Sequence, residues 1–250
     1  MRTVKLIHLN IWLGRLTPAI LRFLEAEKPD ILCMQEVLRT DADVVFPDRQ
    51  FNSHELIQAQ TGLQYGFFSP LWRMDVANGT AEMGNAILSR FPMSGQKTIF
   101  TNGEYVEHHT TENYIPNTRN LQIAQLDIDG NSVNILNHHA HWEQTPLGSD
   151  MSVEKMKIVA SEAQKLAGPT IIAGDMNVSP EATAMRVFDG QFTDLVATSG
   201  AVSTLSGLGV PLDVVCDHIL VNTDINVKQF SVRSDSIVSD HVPLVMEFSV

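Results

Sequence analysis

Cysteine is scarce in this sequence, and long apolar runs are missing. The two cysteines in 250 residues, Cys33 and Cys216, both have apolar neighbours, which favours buried thiols over a disulfide or a metal pair. No apolar run approaches the roughly 20 residues that a membrane helix needs, so we expect no membrane partner. The first residues include neither the apolar segment of a signal peptide nor a small-residue cleavage site, which predicts a cytoplasmic protein.

Positive charge is also in short supply. The chain has 17 Lys and Arg residues against 29 Asp and Glu residues, which gives a net charge of −12. Proteins that hold duplex nucleic acid nonspecifically usually present a basic face. The acidic balance therefore disfavours extended duplex binding, although a local positive patch or bound cations could still accept one phosphate.

Apolar residues are plentiful and are arranged as short strands and helices. They make up 44% of the chain, enough to bury a core, and no repeat or linker interrupts it. We therefore predict one domain over residues 1–250 and a monomer. A strand over residues 4–9, a helix with Thr17 as its N-cap and a strand over residues 31–34 indicate a layered α/β domain. We also predict a surface loop over residues 73–82, a helix from about Pro180, and closely spaced later strands in mixed sheets.

Polar side chains follow the predicted strands at the points where these end. Asp175 and Asn177 come after an apolar run and Gly174, and side chains at i and i+2 point the same way in an extended chain. Gly-Asp-x-Asn is also good turn chemistry. The pattern recurs at four other strand ends: Asn10, Glu36, His139, and Asp240 with His241. Each could be an ordinary cap, turn or surface residue, but their repetition favours a shared site.

The residue types at these strand ends suit one kind of chemistry. Carboxylate and amide oxygens are the ligands that Mg²⁺ or Mn²⁺ prefers over zinc. Histidines beside such a cation can act as general acid or base, or donate to a developing oxyanion. Neither a CxxC zinc motif nor a P-loop is present. The set predicts metal-assisted hydrolysis of a phosphate ester.

Short motifs occur in a characteristic order between about residues 4 and 249. They are Leu9-Asn10-Ile11-Trp12, Gln35-Glu36-Val37, Gly84-Asn85-Ala86-Ile87-Leu88-Ser89, Asn137-His138-His139, Gly174-Asp175-Met176-Asn177, Asp217-His218-Ile219-Leu220-Val221 and Ser239-Asp240-His241. This ordered set resembles the endonuclease/exonuclease/phosphatase superfamily over essentially the whole chain. The resemblance implies an α/β fold, a four-layer α/β sandwich in which two packed mixed β-sheets are flanked by helices.

The resemblance also implies a role for each matching residue. Glu36 is the main ligand of the divalent cation, with Asn10 beside it, Gln35 adjoining and Asp240 adding a direct or water-mediated contact. Asp175 orients or deprotonates the attacking water, and Asn177 holds a phosphate oxygen. His241 contacts the phosphate or serves as base and is polarised by Asp217, while His139 stabilises the transition state or protonates the leaving oxygen. Arg119 is a weaker candidate for a phosphate contact, since most arginines are simply exposed.

The superfamily acts on several phosphate esters, and a few features narrow the choice. Tyr114-Ile115-Pro116-Asn117 resembles a segment of the abasic-site endonucleases, but it precedes an extra hairpin, so we regard the match as coincidental. A basic residue two positions before Asp217 is usual in the family, and Val215 replaces it. We predict a phosphodiesterase or nuclease that acts on nucleic-acid ends, DNA or RNA single strands, or small phosphodiesters. A base of such a substrate could stack on Trp142. The alternative is a phosphatase or a phospholipid-type phosphodiesterase.

Two rival functions remain at this stage. One is a binding module of the same fold that has lost catalysis, which would require eroded site positions. The other is a zinc hydrolase that uses His108, His109, His138, His139 and His141. Zinc alone would sustain the second rival, whereas the main prediction requires Mg²⁺ or Mn²⁺.

Overall fold

Twelve strands and four α-helices make up the described part of the computed structural model, which covers residues 2–42, 50, 52–107, 117–209 and 213–250. The strands are β1 (Val4–Asn10), β2 (Ile31–Thr40), β3 (Tyr65–Val76), β4 (Gly79–Ser89), β5 (Met93–Asn102), β6 (Arg119–Ile128), β7 (Asn131–His139), β8 (Thr170–Asp175), β9 (Thr193–Asp194), β10 (Asp217–Val221), β11 (Asn226–Val232) and β12 (Leu244–Ser249). The helices are α1 (Thr17–Glu27), α2 (Ser53–Thr61), α3 (Asp150–Gln164) and α4 (Leu195–Ser199), with short 3₁₀ helices at Trp12–Gly14 and Thr183–Phe188. Within these ranges no helix is long and apolar enough to cross a membrane.

The strands form two six-stranded mixed sheets. Sheet I has the order β11-β12-β1-β2-β4-β3, and sheet II has the order β5-β6-β7-β8-β10-β9. Each sheet has one parallel pair, β1 with β2 and β7 with β8, and the other pairs are antiparallel. The mixed character follows from short hairpin connections such as Asp129-Gly130, whose positive φ values suit the turn between β6 and β7.

Three apolar clusters show how the layers stack. One cluster joins the facing sides of the two sheets, with Leu6 and Ile31 from sheet I against Ile135 and Ala173 from sheet II. A second joins the outer face of sheet I to α1 and α2, and a third joins the outer face of sheet II to α3. The result is the predicted four-layer α/β sandwich, with both sheets buried on two faces. Cys33 and Cys216 are buried free thiols, also as predicted.

Strand alternation places polar residues at one end of the space between the sheets. In β1, Val4 and Leu6 belong to the cluster between the sheets, so His8 and Asn10 continue the same face. In β8, Ile171 and Ala173 place Asp175 likewise. The inter-sheet core is therefore apolar along most of its length and polar at the end where the site lies.

Three local predictions are wrong. Residues 73–82 are not a surface loop but the end of β3 and the start of β4, which pair around a turn at Asn78, where φ is +65°. Thr17 is not the N-cap of α1, because Leu16 holds that position and the Thr17 hydroxyl donates to the Gly14 carbonyl at 2.8 Å. The helix predicted from Pro180 is a 3₁₀ helix that starts at Thr183, followed separately by α4.

Candidate active site

Sheet register brings three predicted site residues side by side. His139 pairs with Asp175 across the parallel β7–β8 ladder, and Asp217 pairs with Asp175 across the antiparallel β8–β10 ladder. Side chains of paired residues lie on the same face of a sheet. The approach is close at the preceding pair, where a Cβ on Gly174 would lie 2.1 Å from the His138 carbonyl oxygen. Glycine is therefore required directly before Asp175.

Asn10 connects the two sheets at the end of β1. Its Nδ2 donates to Asp175 Oδ2 at 3.1 Å and to Glu36 Oε1 at 3.3 Å. Its Oδ1 accepts the Trp12 N–H at 3.1 Å, within a tight bend where Trp12 and Leu13 both have positive φ. In this arrangement Asn10 holds the two carboxylates through its nitrogen.

Glu36 reaches the site because β2 is irregular there. The pairing of β2 with β4 shifts between Met34 and Val37, and Glu36 has φ = +55°, a conformation that non-glycine residues rarely adopt. Strict alternation would turn Gln35 toward sheet II and Glu36 toward the helices. The bulge instead redirects the Glu36 carboxylate into the cavity, at a backbone cost of about 1–3 kcal/mol.

Asp217 is buried between two histidines. Its Oδ1 lies 2.8 Å from His8 Nε2 and its Oδ2 lies 2.8 Å from His241 Nδ1. The Thr204 hydroxyl accepts the backbone N–H of Asp217 at 3.1 Å. The far nitrogen of His241, Nε2, lies 3.8 Å from Asp175 Oδ2. Asp217 thus fixes the orientation of the His241 ring relative to Asp175.

Two features determine the electrostatics of the site: several carboxylates are buried close together, and Asp217 forms an ion pair with His241. Burial raises the pKa of Glu36 and of Asp175; His241 lowers both pKa values, but burial prevails. Burial would also raise the pKa of Asp217, yet His241 and His8 hold that pKa well below its usual range. Burial would lower the pKa of His241, but Asp217 and Asp175 raise it well above its usual range. Burial and then Arg119 lower the pKa of His139 well below its usual range.

These groups open onto a cavity of about 320 Å³. It is lined by Glu36, Arg119, His139, Trp142, Glu143, Gln144, Pro146, Asp175, Asn177, Leu205, Leu208, Val214, Cys216, Asp240 and His241. Arg119 is the one Lys or Arg in this described lining, and its Nε donates to the Ala140 carbonyl at 2.7 Å. Trp142 is 53% exposed at the rim, and its backbone N–H and C=O are both held by the Asn117 side chain, at 2.7 and 3.0 Å.

The donors in the cavity fit a divalent cation. Glu36, Asp175 and Asp240 supply carboxylate oxygens, and burial raises the pKa of each in spite of the opposing effect of His241. Asp175, Cys216 and His241 also present ligand atoms within 4.8 Å of one another. Oxygen donors dominate, which favours Mg²⁺ or Mn²⁺.

Every residue predicted for the site lies at or beside this cavity. Eight of them line it: Glu36, Arg119, His139, Trp142, Asp175, Asn177, Asp240 and His241. Asn10 and Asp217 do not line the cavity but form hydrogen bonds to residues that do, Asp175 and His241 respectively. Gln35 lies deeper between the sheets and donates to Asn137 Oδ1 at 2.6 Å. The metal-binding and catalytic roles of these residues remain predictions.

Sequence reasoning missed three contributors. His8 was not predicted as a site residue, although its i, i+2 relation to Asn10 places both on one face of β1. Cys216 lines the cavity, and burial and then Asp217 raise the pKa of its thiol to about 12. Thr204 had no sequence signal, since its contact with Asp217 joins a loop to a strand.

The histidine-rich zinc alternative finds little support among the residues described. His108 and His109, like Tyr114 to Pro116, lie outside the described residues. His138 turns away from the site, with its Nδ1 3.0 Å from the Asn120 carbonyl oxygen, and burial lowers its pKa to about 4. His141 Nε2 lies 3.9 Å from Glu143 Oε1 instead.

Glu36→Gln is expected to stabilise the protein when metal is chelated. A raised pKa in the folded state means that ionised Glu36 costs stability, and this cost appears as the pH rises above the unfolded value of 4.5. Gln keeps the oxygen that accepts from Asn10. We expect the free energy of unfolding in EDTA to rise by about 1 kcal/mol at pH 7 and by little near pH 4.

Urea unfolding in EDTA at both pH values measures this, with exposed Glu25→Gln as the matched control. A Glu36→Gln protein less stable than the control protein at pH 7 would show that the ionised carboxylate is favourable without metal. With Mg²⁺ added, the wild type and the Glu25→Gln control should both gain stability, whereas Glu36→Gln should not.

Comparisons with known proteins agree with this fold. A sequence model of the Endonuclease/Exonuclease/phosphatase family matches residues 7–241. We found no similar sequence among curated proteins. An endonuclease/exonuclease/phosphatase from Beutenbergia cavernae DSM 12333 superposes with a TM-score of 0.77 at 18% identity, over 100% of this chain and 72% of that one.

Two other solved structures have the same fold. A mannosyl-6-phosphatase from Bacteroides thetaiotaomicron VPI-5482 gives a TM-score of 0.72 at 16% identity, over 99% of this chain and 100% of that one. The human Nocturnin catalytic domain, with bound sulfate, gives 0.66 at 18% identity, over 99% and 94% of the respective chains. Identities this low establish the shared fold.

Proposed function

We propose, since this chain belongs to the Endonuclease/Exonuclease/phosphatase family, that it is a Mg²⁺- or Mn²⁺-dependent phosphodiesterase or nuclease. Its substrates would be nucleic-acid ends, single strands or small phosphodiesters. The observation that carries the proposal is the meeting of four groups at one cavity: Glu36 from sheet I, His139 and Asp175 from sheet II, and His241 from the segment before β12. All four groups have pKa values displaced by burial or by neighbouring charges, which is typical of catalytic sites.

Glu36 and Asp240 would hold the cation, with Asn10 fixing Glu36 in place. A divalent cation at this position supplies charge neutralisation of the phosphate and polarises it toward attack. The bulge at Glu36 supports this assignment, because strained backbone that aims a buried carboxylate into a cavity has no evident packing benefit.

Asp175 is best placed to orient the attacking water. Its Oδ1 accepts the Asn177 N–H at 3.1 Å, which fixes the carboxylate plane. Its Oδ2 faces the cavity, 3.5 Å from His139 Nε2 and 3.8 Å from His241 Nε2. A water that donates a hydrogen bond to Asp175 would therefore lie beside both imidazoles. From there it would attack the phosphorus of a phosphate bound in the cavity.

The two histidines are suited to different steps. The raised pKa of His241 keeps it cationic, so it can donate to a phosphate oxygen and stabilise the charge that develops there. The lowered pKa of His139 keeps it neutral, and its Nε2 faces Asp175. Neutral His139 would donate a hydrogen bond to the departing oxygen. The Asn177 amide donates one N–H to the Ala140 carbonyl oxygen, and its other N–H would hold a non-bridging phosphate oxygen.

A phosphatase or a phospholipid-type phosphodiesterase is the second candidate. The similarity to a protein named mannosyl-6-phosphatase supports this candidate, because it shows a phosphatase built on the same fold. The same residues would act in either case. Hydrolysis of a phosphomonoester without hydrolysis of a nucleic-acid-type diester would select the phosphatase, and hydrolysis of a phospholipid diester alone would select the phospholipid-type phosphodiesterase.

The first test is hydrolysis of bis(p-nitrophenyl) phosphate by the purified protein. We expect turnover with Mg²⁺ or Mn²⁺, abolished by EDTA and restored by adding either cation back. Zinc alone should not sustain it. Absence of turnover with every cation, together with no stabilisation of the fold by Mg²⁺, would support the inactive binding module instead.

A further inference from the structure

A second groove opens beside the active-site cavity. The two share Pro146 and Val214 in their linings, so the groove adjoins the cavity at this pair. The groove has a volume of about 350 Å³. Its shared wall is fixed, because the Ser179 N–H donates to the Pro146 carbonyl at 2.6 Å. A ligand arm that passes over this pair from the cavity would enter the groove.

The groove is lined by aliphatic side chains. Val196 and Ala197 of α4 contribute, together with Ala201 and Val202 just beyond the helix. Val202 is 78% exposed, the largest exposed fraction among the exposed large hydrophobic residues described. Exposed aliphatic surface next to a catalytic cavity is available for an apolar part of a ligand.

The charged groups of the groove are acidic. Glu181 and Asp213 line it, and its described lining includes no Lys or Arg. In the cavity itself Arg119 is the one such cation among the described lining residues. A substrate with a second phosphate on this side would meet carboxylates and no compensating cation, which is unfavourable for an anion.

We infer that the groove holds an uncharged apolar arm of the phosphoester, so that the preferred substrates have one phosphate and an apolar alcohol on this side. The inference rests on the proposed function, because it assigns the occupant of the same site. Val215, which replaces the expected basic residue, also lines the groove and agrees with it. Polyanionic strands extending in this direction are disfavoured.

Three p-nitrophenyl phosphodiesters with the same leaving group test the inference. Their second alcohols are methanol, hexanol and 6-phosphohexanol. We expect kcat/KM for the hexyl ester to exceed that for the methyl ester at least tenfold, because five further methylenes are buried. The phosphohexyl ester should lose at least tenfold relative to the hexyl ester. Equal values for methyl and hexyl, or a preference for phosphohexyl, would overturn the inference.

A pair of variants locates the effect. Val202→Asp should bring the hexyl-to-methyl ratio close to one. Ile237→Asp makes the same change in charge at another exposed loop residue, 57% exposed and outside both linings, and should leave the ratio unchanged. A ratio unaffected by Val202→Asp would show that the alkyl chain binds elsewhere.

Binding separates this inference from the proposed function. Calorimetry with hexyl phosphate and methyl phosphate, in the presence of Mg²⁺, needs no turnover. If no diester is hydrolysed, the proposed function fails; tighter binding of hexyl phosphate by at least tenfold, lost in Val202→Asp, would still support the groove. Equal binding of the two phosphates would overturn it.

Discussion

Asp175→Asn is expected to lower kcat for phosphodiester hydrolysis by about 10³-fold, the scale of losing a positioned acid–base group. The substitution keeps the size of the side chain but removes the charge that faces His139 and His241, at 3.5 and 3.8 Å. An amide cannot accept a proton from water. Because burial raises the pKa of Asp175, a neutral residue should be tolerated by the fold.

Steady-state kinetics at saturating Mg²⁺, together with urea unfolding, would measure both effects. Asp189→Asn is a suitable control, because that carboxylate is exposed and pairs only with nearby Arg186 at 3.8 Å among the ion pairs described. Activity of Asp175→Asn within tenfold of wild type would remove Asp175 from the water-orienting role. A large loss of stability would mean instead that its hydrogen bonds to Asn10 and Asn177 are structural.

The sequence was informative about the fold wherever periodicity and strand ends were clear. The apolar runs over residues 4–9 and before Asp175 correctly predict the buried strands β1 and β8. Ser149, a residue type favoured at helix N-caps, caps α3 by accepting the Met151 N–H at 3.1 Å. The prediction of a loop over residues 73–82 failed because the polar residues and Gly79 in this stretch are typical of loops. There β3 and β4 extend as a long hairpin whose side chains are mostly part-exposed.

The sequence predicts which residues form the site but not how their side chains are arranged. Polar residues after apolar runs identify which side chains meet, because strand ends converge at one edge. The Glu36 bulge could not be foreseen, since it depends on how β2 pairs with β4. The contact of His8 with Asp217, 209 residues apart, requires knowledge of how the two sheets face each other.

Asp217→Asn is expected to reduce kcat by about 10³-fold for a reason different from that of Asp175→Asn. Asp217 accepts from His8 and from His241, both at 2.8 Å. An asparagine retains one acceptor and presents an N–H₂ group to the other ring, which must then lose the N–H proton that faces it or rotate. Loss of the correct tautomer in a comparable carboxylate–histidine pair costs about 10⁴ in rate.

The pH dependence distinguishes this orienting role from a purely structural one. Asp217 raises the pKa of His241, so this pKa should fall in the variant. The limb of the pH–rate profile that reflects loss of the His241 proton should therefore move toward lower pH. His8→Gln is the matched comparison, because Gln can still donate to Asp217 and should leave kcat within about tenfold and the limb in place. If Asp217→Asn retains the wild-type limb, or loses only stability, Asp217 supports the inter-sheet core and does not orient His241.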